Sequence, residues 1–88
     1  MKDHPIHVTA ETNSYLLLEM LDHNPALRDQ RGWFGRLPIH SAAKAGESKC
    51  VALLLEKEAS PNVKEDLFGE TPLHFAVGSD SIECVELL

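Results

Sequence analysis

Apolar positions along this chain gather into short paired blocks, and the pairs return with a period of 33 or 34 residues. The pairs are 5–10 with 17–21, 37–45 with 51–55, and 72–77 with 82–88. Each pair predicts two short helices. The first helix of each opens on a recurring phrase: His4-Pro5-Ile6-His7, Leu37-Pro38-Ile39-His40 and Thr71-Pro72-Leu73-His74. Proline suits the first helical position, because its missing N–H would be unsatisfied there and its φ is already helical. Self-similarity at this period predicts helix pairs stacked in an array.

The second copy is the most complete. A short helix over 38–45 is broken at Gly46, and a second opens at Glu47 or Ser48, runs through 51–55 and ends at Ala59-Ser60-Pro61-Asn62. The third copy superimposes on it at an offset of 34, the first at 33. Asn13, Gly46 and Asp80 align at the break between helices. All three residue types tolerate a left-handed backbone, which predicts one shared geometry. Thr71 is a good N-cap whose hydroxyl can accept the His74 N–H, whereas His4 and Leu37 leave their helices uncapped at a cost of about 1 kcal/mol each. The leucine runs 16–18 and 53–55 read as stacking faces, since neither persists for the heptads of a coiled coil.

These residues carry a family resemblance. Gly69-Glu70-Thr71-Pro72-Leu73-His74-Phe75-Ala76 resembles the ankyrin-repeat signature, and Leu53-Leu54-Leu55-Glu56-Lys57-Glu58-Ala59-Ser60-Pro61-Asn62 is similar to its second-helix-to-finger segment. The resemblance covers essentially the whole chain. It implies an all-α ankyrin solenoid of about three stacked repeats (1–28, 29–62 and 63–88) in a single domain over 1–88, with β-hairpin-like fingers projecting between repeats and the last repeat truncated. Departures are Leu37 for the usual threonine, Glu58 for the usual glycine, Gly32 where Asp66 falls in the next finger, and one inserted residue between Glu56 and Asp66.

Composition narrows the function classes. Hydrophobic content of 43% and charged content of 25% belong to a folded domain. The net charge of −6, from 8 Lys and Arg against 14 Asp and Glu, argues against nucleic acid and anionic membranes as partners. No apolar run approaches the ~20 residues of a membrane span, and the start has no apolar signal core. Cytoplasm or nucleus is the expected compartment. Cys50 and Cys84 occupy equivalent places 34 residues apart. Stacked helices lie ~8–10 Å apart, beyond the about 7 Å Cα separation of a disulfide, so both are expected as reduced core thiols.

The chemistry that the sequence tempts one to read is scaffold. His7, His40 and His74, stacked at ~8–10 Å, cannot share a zinc whose nitrogen ligands sit at about 2 Å. Each ring is expected to bond backbone near its helix start, linking finger to helix, with His4 and His23 solvated. Cys50 buried among leucines is inert, and no phosphate loop, paired-carboxylate motif or nucleophile elbow occurs. No cofactor, metal or catalytic residue is expected.

Function is therefore expected from surface: a protein–protein interaction module, scaffold or adaptor, binding through fingers and concave face. By position within the resemblance, the second finger offers Trp33, Phe34 and Arg36, with Ser41, Lys44 and Ala45 on its helix. The third offers Leu67, Phe68 and Glu70, with Phe75, Gly78 and Ser79. Both fingertips carry an apolar pair, and exposed aromatic clusters mark interaction sites. Arg31 and Arg36 flank the cluster as a polar rim. The competing reading folds one residue of each pair beneath the ridge, with Trp33 packed on Leu67. Asn62, eight residues after Leu54, resembles a substrate of asparaginyl hydroxylation.

The chain stops within the third repeat's second helix, and an array needs a polar terminal repeat. The expectation is an N-terminal or internal fragment of a longer ankyrin domain, or an open end that self-associates. Residues 32–40 are weakly similar to fingers of ankyrin and SOCS-box adaptors. The alternatives are a stoichiometric inhibitor of a kinase or transcription factor, and a regulatory ankyrin domain of a larger enzyme or channel.

Overall fold

A computed structural model describes residues 4–88; residues 1–3, assigned above to the first repeat, lie outside the described residues. Six α-helices occur among the described residues, with no strand: α1 (Pro5–Thr12), α2 (Ser14–His23), α3 (Pro38–Ala45), α4 (Ser48–Glu56), α5 (Pro72–Gly78) and α6 (Ile82–Leu87). Single turns of 3-10 helix at Pro25–Asp29 and Trp33–Gly35 were not legible in the apolar pattern. Helices α1, α3 and α5 pack side by side in one row, and α2, α4 and α6 in a second.

The apolar blocks meet between the rows. Ile6, Leu17, Leu21, Ile39, Val51 and Leu54 are fully buried, with Ala10, Ala42, Ala43 and Ala76 where neighbouring helices approach. Burying each large aliphatic side chain contributes about 1.5–3 kcal/mol. Cys50 and Cys84 are free and buried in this core. Burial, with Glu47 and Cys84 nearby, pushes the Cys50 thiol up to about 11. At the far end of the stack Leu73, Val77 and Val85 are exposed, at the positions where Ile39, Ala43 and Val51 are fully buried one repeat earlier.

Helix ends depart from expectation at three places. Asn13 is extended (φ −146°) rather than left-handed, whereas Gly46 (φ 72°) and Asp80 (φ 58°) are left-handed. The reason is linker length: Asn13 alone joins α1 to α2, and it serves as N-cap of α2, its Oδ1 accepting the Leu16 N–H at 3.1 Å. His4 is not merely solvated, and α1 is not uncapped, because the His4 Nδ1 accepts the Ile6 N–H at 3.1 Å. His23 is exposed but its Nδ1 lies 2.9 Å from the Glu19 carbonyl. The Thr71 hydroxyl lies 2.8 Å from the His74 ring Nδ1. In return that ring accepts the Thr71 N–H at 3.0 Å. Glu58 takes the left-handed conformation (φ 68°) that glycine would adopt without strain.

Two of the motif histidines, His7 and His40, tie helices to fingers, whereas the His74 ring bonds Thr71 at its own helix start. His40 is fully buried. Its Nδ1 accepts the Leu37 N–H at 2.9 Å, which leaves the proton on Nε2 to be donated to the Val63 carbonyl at 2.7 Å. Burial holds its pKa below the usual 6.5, against the opposing pull of the Val63 carbonyl and Glu65. His7 reaches the Arg36 carbonyl through Nε2 at 3.1 Å. His74 is exposed.

Candidate protein-binding surface

Each finger is a loop closed at its base by a backbone bond, Gly32 N–H to Arg36 carbonyl (2.8 Å) in the second, where Gly35 and Arg36 N–H also turn back to the Gly32 and Trp33 carbonyls, and Glu65 N–H to Glu70 carbonyl (2.9 Å) in the third. They are hairpin-like without forming strands. Asp66 N–H donates to the Phe34 carbonyl at 2.7 Å, joining one finger to the next. Gly35 sits at that junction with φ 69°, and a Cβ there would collide with the Asp66 carboxylate.

A charged residue at matching positions, 34 apart, organises each finger. Arg31 donates to the Gly35 carbonyl. Glu65, buried, accepts the N–H groups of Leu67 (2.8 Å), Phe68 (2.7 Å) and Glu70 (3.0 Å). Those bonds, the Glu70 N–H foremost, hold the Glu65 carboxyl below its ordinary pKa despite burial. Glu65, Asp66 and Gly35 were missed in the sequence, where the only signal was a charge in register ahead of each tip. Arg31, expected at the rim, bonds within its own finger.

The fingertip residues lie outside. Trp33 and Phe34 are 47% and 45% exposed and meet edge to face at 5.9 Å, and Leu67 and Phe68 are 48% and 74% exposed. Neither member of either pair is folded beneath the ridge. Phe34 has φ 58° and ψ 26°, a left-handed backbone that is an outlier for a bulky side chain. Arg36, expected at the rim, stands among the rings: its guanidinium carbon is 5.4 Å from the Phe34 centroid and 4.9 Å from that of Phe75. Phe75 in turn meets His40 edge to face at 5.6 Å. The structure thus brings Phe34, Arg36 and Phe75 together across two repeats.

On the helices, Lys44, Ala45 and Gly78 are exposed, whereas Ser41 is buried and offers no surface. Ser79 is occupied, its hydroxyl donating to the carbonyls of Ala43 (3.0 Å) and Ala76 (2.9 Å). Glu70 is half-buried. Asn62 is exposed in a turn, its N–H on the Ser60 Oγ at 3.2 Å, and Leu54 upstream is fully buried. No group of His, Cys, Asp or Glu among the described residues has metal-binding geometry, and no helix among them is long and apolar enough to cross a membrane.

Paired helices in two rows with loop fingers between repeats define a helical solenoid of the kind used for protein binding. The sequence profile of ankyrin repeats, in three copies, matches residues 6–88, and the chain belongs to the ankyrin-repeat family. It is similar to the crystal structure of the human ASB11 ankyrin repeat domain, with a TM-score of 0.82 and 28% identity over 96% of this chain and 38% of that one. It is also similar to a chain in the complex of the Bd0816 predatory endopeptidase from Bdellovibrio bacteriovorus with immunity protein Bd3460. There the TM-score is 0.83 and the identity 26%, over 97% of this chain and 45% of that one. The chain therefore spans less than half the length of either. A comparison with curated proteins returned no match.

Proposed function

We propose that this chain is a binding module, not a catalyst, and that a protein partner lies across its second and third fingers, centred on Trp33, Phe34 and Phe68. The carrying observation is the Phe34 backbone. A left-handed conformation costs a side-chain-bearing residue about 1–2 kcal/mol, and here it holds an aromatic ring half in water beside an exposed tryptophan. Strain of this sort concentrates at functional sites. Arg36, Lys44, Leu67, Glu70 and Phe75 complete the surface, as an adaptor's substrate-recruiting face or as the inhibitory or regulatory face of a longer protein. Free Cys50 and Cys84 favour cytoplasm or nucleus. Exposed Asn62 remains a proposed hydroxylation site, tested by a +16 Da shift after co-expression with an asparaginyl hydroxylase.

The test uses phage-displayed random peptides selected on the folded chain. Trp33→Ala, Phe34→Ala and Phe68→Ala should each weaken the selected peptides about tenfold or more, the scale of a binding hot spot. Lys49→Ala and Glu83→Ala, which line the groove between α4 and α6 on the other row, should not. Unchanged affinity in a Trp33→Ala/Phe34→Ala double variant refutes the reading.

The uncovered Leu73, Val77 and Val85 support a second contact, self-association through the α5–α6 face. Sedimentation should then show a concentration-dependent dimer that Val77→Asp abolishes; a monomer at all concentrations refutes it.

A further inference from the structure

Arg36 is the one member of the aromatic cluster whose chemistry points to a particular ligand. Its guanidinium lies within cation–π reach of Phe34 and Phe75, which orients it and shields it from water. No carboxylate pairs with it: the ion pairs among the described residues are Arg28 with Asp29 and Lys57 with Asp22. Glu65 feels its charge, yet the Glu65 oxygens are already taken by three backbone N–H groups. Asp66 is turned against Gly35. The Arg36 Nε, buried, has no hydrogen-bond partner among the described residues. Its basic neighbour Arg31 is turned to the Gly35 carbonyl. A guanidinium fixed by two rings and paired with no carboxylate is prepared for a planar anion, which its terminal nitrogens can grip with two parallel N–H bonds.

We propose that Arg36 receives a carboxylate, an Asp or Glu side chain of an extended partner segment whose apolar neighbours lie on Trp33, Phe34 and Phe68. This rests on the fingertip surface proposed above. A carboxylate suits the site better than a phosphate. A planar carboxylate matches the fork of one guanidinium, whereas a phosphomonoester carries about −1.5 to −2 and draws on several cations. Glu70, at the matching place in the third finger, has the opposite sign and confines the acidic residue to the second finger.

The selected peptides supply the probe. Those that bind should be enriched in Asp or Glu beside apolar residues. In a double-mutant cycle on one such peptide, Glu→Gln (or Asp→Asn) should weaken binding tenfold or more to the native chain, but less than twofold to Arg36→Gln. Arg36→Lys, which keeps the charge and loses the paired donors, should fall between. A phosphoserine in the acidic position should bind no better than Glu. Circular dichroism confirms that each variant is folded. Equal losses from Glu→Gln on native and Arg36→Gln chains, tighter binding of the phosphoserine peptide, or selected peptides without acidic residues overturn the assignment. If Trp33→Ala abolishes binding while the cycle shows no coupling, the fingertip surface stands and the carboxylate receptor falls. If neither matters, or nothing is selected, both fall.

Discussion

Replacing the motif histidine with alanine in turn at 40 and 74 applies one change to one motif, with and without a finger to receive the ring. At position 40 the ring is fully buried and makes two backbone bonds, from the Leu37 N–H (2.9 Å) and to the Val63 carbonyl (2.7 Å). His40→Ala leaves both groups without partners. A buried unsatisfied group costs about 1–3 kcal/mol, and losing the edge-to-face contact with Phe75 adds about 0.5–1.5 kcal/mol. The loss should be about 4 kcal/mol, a large share of the 5–15 kcal/mol that holds an ordinary domain. At position 74 the ring is exposed and its partner, the Thr71 N–H, can turn to water. His74→Ala should cost about 0.5–1 kcal/mol. Urea unfolding followed by far-UV circular dichroism measures both. If His40→Ala does not fold, His40→Gln, which can restore one of the two bonds, should lose about half as much. Equal losses at 40 and 74, within ~0.5 kcal/mol, would refute the view that this histidine works by joining a helix to the next finger.

Gly35→Ala should destabilise by about 2 kcal/mol or more, because φ 69° strains any side chain and its Cβ meets the Asp66 carboxylate; urea unfolding reads it. Phe34→Gly should hold or raise stability by up to about 1 kcal/mol while losing peptide binding, as expected where strain serves function. Acid should destabilise in two stages. His40 and Glu65 both have folded-state pKa values below their ordinary ones, so the unfolded chain takes up protons first and stability falls as pH falls. The first loss begins below about 6.5 and should vanish in His40→Gln, and the second begins below about 4.5 and should vanish in Glu65→Gln. Cys50, with its thiol pushed up to about 11, should resist a thiol reagent at pH 8 in the native chain and react on unfolding in urea.

The architecture was legible because the features that set it repeat. Proline at the start of α1, α3 and α5, apolar residues at fixed offsets and a histidine at the third helical position are local choices that one sequence displays three times. What escaped was set by features that do not repeat. Asn13 aligns with Gly46, yet the one-residue link between α1 and α2 extends it and converts it into a cap. Arg31 and Glu65 occupy the same register and organise their fingers by opposite means, one donating to a carbonyl and the other accepting three N–H groups. The sequence places Arg36 only at the rim, because its rings come from positions 34 and 75 and only the stacking of α5 on α3 brings Phe75 beside it. The exposed apolar pairs were legible because large apolar side chains at a loop tip, Trp33-Phe34 and Leu67-Phe68, stand out without any knowledge of packing.

The central claim is that the fingertips are the binding surface. Amide hydrogen exchange of the chain, free and saturated with a selected peptide, tests it most directly. Protection should concentrate at 33–36 and 67–70 and at the inner turns of α3 and α5. Protection confined to α2, α4 and α6, with the fingertips exchanging as in the free chain, would contradict it.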